Sequence, residues 1–286
     1  MRLITYETEH GPRLGMARGE FFVPIPDVDM IGLIEAGESR LERVRASTGF
    51  MLPLASVNLR APLTPPRRNV FCVGMNYAEH AVEFMRAKGH PIKIPEVPVF
   101  FTKATTAVTG PYADVAFDSA VTQQLDWEVE LGVVIWKKGM NIPRDRAMEH
   151  VFGYTIINDL SALDLQNAHN QFFKGKSLDG ACPMGPWIVT REEIPNPHNL
   201  VLRCRVNGVT KQESYTGDLI FNIPLISEWL SKGMTLLPGD VISTGTPSGI
   251  GFARTPPEFL KPGDVVDCEV EGIGIIRNRI VAALPE

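Results

Sequence analysis

Apolar residues along this chain mostly follow the period of strands. Val151–Asn158, VFGYTIIN, is nearly unbroken apolar chain, as expected of a strand covered on both faces. Asn69–Gly74, Pro98–Thr102, Leu200–Val206, Val241–Thr244 and Val265–Val270 are shorter runs of the same kind, and Asn207–Gly208 after one of them predicts a hairpin turn. Arg2–Tyr6, Arg13–Ala17 and Phe21–Pro24, parted by Gly11–Pro12 and Gly19, predict a small meander. Helical spacing is rarer. It is found at Asp29–Gly37, after Asn76, at Ile142–Val151, after Ser161 and at Ile223–Gly233. Asn76 with Glu79, and Ser161 with Asp164, have the spacing of a capping box. The proline-rich APLTPPRR, residues 61–68, predicts an extended linker. The expected organisation is a small N-terminal α+β domain over 1–66 and a larger β-rich domain over 67–286.

One predicted strand carries acid where the pattern calls for core. In LDWEVELGVVIW, residues 125–136, alternation sends Glu128 and Glu130 to one face and Trp127, Val129 and Leu131 to the other. Two adjacent carboxylates repel, and burying them is costly without a counter-charge. A hard divalent cation resolves the conflict, because such ions take oxygen ligands; a solvated acidic edge is the plainer alternative. Asp159, delivered at the end of the apolar strand Val151–Asn158, is a third oxygen donor. His80 and Glu83 stand at i and i+3 on the helix after Asn76, where a carboxylate can orient an imidazole as a base. An ordinary surface pair has the same spacing. The segment 84–97, with Gly89, Pro91 and Pro95, reads as a lid or as a plain surface loop.

Two lysines stand near this chemistry. Lys103 ends a strand, a position from which a lysine can reach a ligand carboxylate, with solvent exposure as the default expectation. Lys176 lies in GKSLDG, which is not a phosphate-binding loop because Asn170 occupies the place of its first glycine; a lysine held at a pocket or in a turn remains. The glycines of GTPSGIGF, residues 245–252, let backbone N–H groups approach a carboxylate.

Composition removes several classes. The chain has 286 residues, 44% hydrophobic and 21% charged, as in ordinary globular proteins. A net charge of −5 without a basic run argues against nucleic acid. No secretory signal and no bilayer-length apolar stretch are visible, so the expectation is a cytoplasmic protein with no membrane partner. Cys72, Cys182, Cys204 and Cys268 lack paired spacing and predict free thiols.

Five motifs in order, VGMNYAEH, DWEVELGVV, GYTIINDLSALDLQ, GKSLDGACPMGPW and PGDVISTGTPSGIG, resemble the fumarylacetoacetate hydrolase family from about Asn69 to Ile280. The resemblance implies an α+β, β-rich fold, a mixed β-sandwich or β-roll, in a homodimer. It implies Mg²⁺ or Mn²⁺, with Ca²⁺ as a further candidate, on Glu128, Glu130 and Asp159. It implies His80, Glu83 and Lys176 as catalytic groups, and Gln166, Gly245 and Thr246 at the substrate. One position departs: Leu163 stands where the family often has arginine. The expected activity is hydrolytic carbon–carbon cleavage of an acylpyruvate, a 2,4-dioxo acid, through a metal-stabilised enolate. The alternative is an isomerase, tautomerase or decarboxylase of 2-oxo acids such as oxaloacetate or a dienoic diacid. A non-catalytic protein stabilised by metal is the third reading.

Overall fold

The computed structural model describes residues 1–283; the last three residues of the predicted 67–286 domain lie outside that range. A 12-stranded sheet is its spine. Val129–Ile135, Val151–Asn158 and Cys182–Thr190 form its middle, and almost every residue in them is buried. Such strands must be apolar on both faces, which is why they lack polar alternation. Glu130 is paired with Ile157, and Gly132 with both Thr155 and Ser243. The sheet continues from Val241–Ser243 through the parallel strand Val70–Gly74 to Val99–Lys103.

A second sheet of five strands packs across the first. It contains the predicted hairpin, Val201–Val206 with Val209–Tyr215, followed by Val265–Val270 and Gly274–Ala282. Leu131 and Val133 from the large sheet share a core with Leu202, Cys204, Cys268 and Ile276 from the small one. The architecture is the expected α+β one, two mixed sheets with short helices, and the four cysteines are buried and free.

The other face of the large sheet is closed by residues 1–66. Arg2–Tyr6 is hydrogen-bonded to Cys182–Thr190, with Leu3 opposite Ile188. The meander therefore extends the same sheet. The helices Met30–Glu35 and Glu38–Arg45 cover it with Leu33, Ile34, Leu41 and Val44. The second helix is not predicted, because only Leu41 and Val44 turn inward from an otherwise charged run.

Both capping predictions need correction. Tyr77 is the N-cap of the helix Ala78–Ala87, and its side chain makes no cap bond. The Asn76 side chain is buried instead, donating to the carbonyls of Phe221 at 3.0 Å and Thr244 at 2.7 Å and accepting from Phe221 N–H at 2.8 Å. Ser161 lies in a two-residue strand before the helix Leu163–His169, which likewise starts without a side-chain cap. Asp164 accepts from Thr122 Oγ1 and Gln123 N–H. The stretch Arg144–His150 is a 3₁₀ helix rather than an α-helix.

Candidate active site

Glu128, Glu130 and Asp159 converge where the two central strands part. One oxygen from each lies within 4.8 Å of the others, and all three residues are buried. The local backbone holds them there. Asp159 N–H donates to Glu128 O at 2.9 Å, and Glu128 N–H donates to Asn158 Oδ1 at 3.1 Å. Ser161 Oγ donates to Glu128 Oε1 at 3.0 Å.

Two ammonium groups meet this cluster. Lys176 Nζ donates to Glu128 Oε2 at 2.7 Å and Asp159 Oδ2 at 2.8 Å. Lys103 Nζ donates to Asp159 Oδ1 at 2.6 Å and Leu160 O at 2.9 Å, and the residue is 0% exposed. Exposure, the expectation for a lysine at a strand end, is therefore wrong for Lys103. Burial opposes ionisation of Asp159, but the two lysines outweigh it and hold its carboxyl below the usual range. Glu130 goes the other way. Burial, then the charges of Asp159 and Glu128, push it up to about 8.

Glu130 Oε2 accepts from Ser243 Oγ at 2.5 Å and from Gly245 N–H at 2.8 Å. Gly245, expected at the substrate, thus spends its N–H on an acid of the cluster. Its φ of 102° and a Cβ position 2.7 Å from Asn76 Cβ leave room for glycine alone. Three buried carboxylates facing two ammoniums leave one acid without a cationic partner. A hard divalent ion such as Mg²⁺ or Mn²⁺ fits this oxygen donor set, and Ca²⁺ shares the preference for oxygen.

The cluster forms one wall of a small cavity of about 30 Å³. Glu128, Glu130, Lys176, His80, Gln166 and Thr246 all line it, with Val73, Phe84, Phe101 and Phe172 as apolar wall. His80 Nδ1 is 3.2 Å from Glu83 Oε1, so the predicted pair forms. Both Glu83 oxygens also accept from Gly249 N–H at 3.0 Å, and Ser248 Oγ donates to Glu79, which fastens the helix to the glycine loop. Gln166 is buried, and its Oε1 has no hydrogen-bond partner. Thr246 Oγ1 donates to Val129 O at 3.0 Å and accepts from Gln212 Nε2 at 2.8 Å, so it shapes the wall more than it offers a donor. Leu163 is 1% exposed and brings no charge.

Lys103, Ser161, Ser243, Gln212 and Asp126 are site-building residues that the sequence did not announce. Asp126 has a visible trace in hindsight, as an acid beside the E-x-E pair. It is fully buried and accepts from Gly251 and Phe252 N–H at 2.7 and 2.8 Å. Burial pushes it up to about 7 against those bonds. Lys103 and Gln212 lie outside the five motifs, and Ser161 and Ser243 lie inside two of them without a spacing that marks contact with the acids.

The fumarylacetoacetate (FAA) hydrolase C-terminal family model matches residues 69–281. The chain belongs to this family. It is similar to oxaloacetate tautomerase YisK of Bacillus subtilis, 49% identical over 231 residues covering 81% of this chain and 75% of that one. It is 41% identical to the mitochondrial oxaloacetate tautomerase FAHD2A of Bos taurus over 296 aligned positions, 98% of this chain and 92% of that one. A solved maleylpyruvate hydrolase from Sphingobium sp. SYK-6, in complex with manganese(II) and pyruvate, matches with a TM-score of 0.82 and 28% identity over 99% of this chain and 100% of that one. This FAH-family chain is therefore an enzyme of the superfamily, with a buried acidic triad suited to a divalent metal.

Proposed function

We propose that this enzyme is a divalent-metal-dependent tautomerase of oxaloacetate-type 2-oxo acids. The supporting observation is that two relatives aligned over four fifths or more of the chain carry that activity in their names. The site chemistry agrees. Tautomerisation needs one base at carbon and one polarised oxygen, and a single imidazole–carboxylate pair faces the cavity. The first expectation from sequence, hydrolysis of a 2,4-dioxo acid, gives way to the alternative weighed beside it.

A divalent ion held by Glu128, Glu130 and Asp159 would supply positive charge at the 2-oxo oxygen. His80 takes a proton from the C3 methylene of the keto form through Nε2, and the imidazolium so formed returns that proton to the C2 oxygen; the reverse transfer returns the ketone, so protons balance. Glu83 holds Nδ1, fixing which ring nitrogen faces the substrate. Gln166 offers the N–H of its amide Nε2 to a substrate carboxylate, its Oε1 being an acceptor, and Lys176 keeps Glu128 and Asp159 in place from the cavity side. A homodimer and a cytoplasmic location belong to the same proposal; among the described residues no helix is long and apolar enough to cross a membrane.

The test follows the ultraviolet absorbance of enol-oxaloacetate with Mn²⁺ and the enzyme. Ketonisation should be accelerated, and His80→Ala should lower the rate by roughly 10²–10⁴-fold. Failure to accelerate ketonisation, with metal-dependent cleavage of an acylpyruvate, would restore the hydrolase reading that the maleylpyruvate hydrolase structure favours.

A further inference from the structure

Trp127, the residue before Glu128, belongs to the core shared by the two sheets and is 1% exposed. Its ring does more than fill space. The indole Nε1–H donates to Gly249 O at 3.2 Å. An indole nitrogen is a donor only, so it fixes the direction of that carbonyl. Gly249 is held on its other sides as well. A Cβ there would stand 2.1 Å from Lys211 O, and its φ of 101° favours glycine. Its own N–H donates to both oxygens of Glu83 at 3.0 Å. Glu83 in turn meets His80 Nδ1 at 3.2 Å.

An indole, a glycine, a carboxylate and an imidazole thus form one chain of contacts from the acid strand to the helix Ala78–Ala87. The glycine segment between them has little slack. Asp126 takes Gly251 and Phe252 N–H, and a Cβ on Gly251 would come within 2.8 Å of both Trp127 Cη2 and Asp126 Oδ1. Glu83 needs such a support. Its side chain is 23% exposed, so water competes for it, and a carboxylate free to rotate offers an imidazole many geometries. The Gly249 N–H removes that freedom. Glu83 Oε1 is left facing Nδ1, which places the proton of a neutral ring on Nδ1 and leaves Nε2 bare.

We propose that Trp127 is a positioning residue for the base: it anchors Gly249, Gly249 orients Glu83, and Glu83 keeps the proton of neutral His80 on Nδ1. The inference rests on the reading of His80 as the group that takes a proton from carbon. The stretch 127–130 then serves both halves of the site, the acids through Glu128 and Glu130 and the base through Trp127.

Nitrogen NMR of histidine-labelled, metal-free protein, at a pH where His80 is neutral, reads the tautomer apart from any turnover. In the wild type the Nδ1–H form should dominate. Glu83→Ala should give the mixed tautomers of a free imidazole. Trp127→Phe, which keeps an aromatic ring in the core and removes the N–H, should move the signal part of the way, and should add nothing in the Glu83→Ala background. In turnover, Trp127→Phe should lower kcat about tenfold and leave KM within about twofold, since no substrate contact is lost. Its Mn²⁺ dissociation constant should also stay within about twofold of the wild-type value, far less than the roughly 10–100-fold cost of losing a group that orients a metal ligand. Because Trp127→Phe also removes volume from the core, a second measurement leaves Trp127 in place: Glu83→Ala, by releasing Gly249, should speed hydrogen exchange of the Trp127 indole proton. An unshifted tautomer in Trp127→Phe, an equal kcat loss when Glu83 is already absent, Mn²⁺ affinity lowered as far as kcat, or an indole proton indifferent to Glu83 would overturn the assignment. A tautomer that follows Trp127 in a protein that does not tautomerise oxaloacetate refutes the reaction and leaves Trp127 as the anchor of the pair.

Discussion

Asp159 gives one oxygen to each of two buried ammoniums, Lys103 on Oδ1 and Lys176 on Oδ2. The two lysines are not equivalent. Lys176 faces the cavity, whereas Lys103 is sealed beneath the acid with no exposure at all. Lys103 therefore has a structural charge to balance, and Lys103→Met should show it by leaving Oδ1 buried and unpaired. Loss of one partner from a buried pair costs about 3–5 kcal/mol, read by urea denaturation of the metal-free protein. A loss below about 1 kcal/mol would mean that Asp159 finds another donor. The sequence did not reveal this role, and the reason is physical. Nothing local distinguishes a lysine at the end of Val99–Lys103 from an exposed one, because its partner lies 56 positions away. The E-x-E pair and the His80–Glu83 pair were legible because period-two and i,i+3 geometry act within a few residues.

The glycine loop after the strand Val241–Ser243 is held on the site by acids, together with Gln212, which donates to Thr246 Oγ1 and Pro247 O. Asp126 takes Gly251 and Phe252, and Glu83 takes Gly249. Gly245 N–H donates in the same direction, to Glu130, an acid of the cluster itself. An added methyl at Gly245 meets Asn76 Cβ at 2.7 Å and Val73 O at 2.9 Å, at a φ that favours glycine. Gly245→Ala should cost about 1–3 kcal/mol from overpacking and strain. It should also weaken Mn²⁺ binding roughly 10–100-fold, the usual cost of losing a group that orients a ligand. Thermal unfolding and a metal titration check the two parts; unchanged Mn²⁺ affinity would show that Glu130 does not depend on this N–H. Elements fared unevenly in prediction for the same reason as residues. Apolar runs such as Val151–Asn158 declare a strand on their own. Asn76 and Ser161 satisfy a local capping rule, yet distant carbonyls and the Glu128 carboxylate claim their side chains.

At the scale of the molecule, we keep the division near residue 66 as a division of labour: 67–286 carries the acids and 1–66 supports the strands that hold them. Val134, Phe152, Ile157, Met184 and Ile188, from the three central strands, share one core with Leu3, Leu14, Met16, Leu33 and Leu41 from the N-terminal part. Each large apolar side chain returned to water forfeits about 1.5–3 kcal/mol. Uncovering several at once exceeds the roughly 5–15 kcal/mol that holds a typical domain folded. It also opens the edge of Cys182–Thr190, whose neighbour Val151–Asn158 leads directly into Asp159. A fragment of residues 67–286 should therefore bind a hydrophobic dye, aggregate, and lose Mn²⁺ binding although every proposed ligand is present. Adding a separately made 1–66 peptide should restore soluble, metal-binding protein if docking alone supplies the missing face. A fragment that stays monomeric and binds Mn²⁺ as the full chain does would show that the acidic cluster is organised without the N-terminal buttress, and that the shared core contributes little to the site.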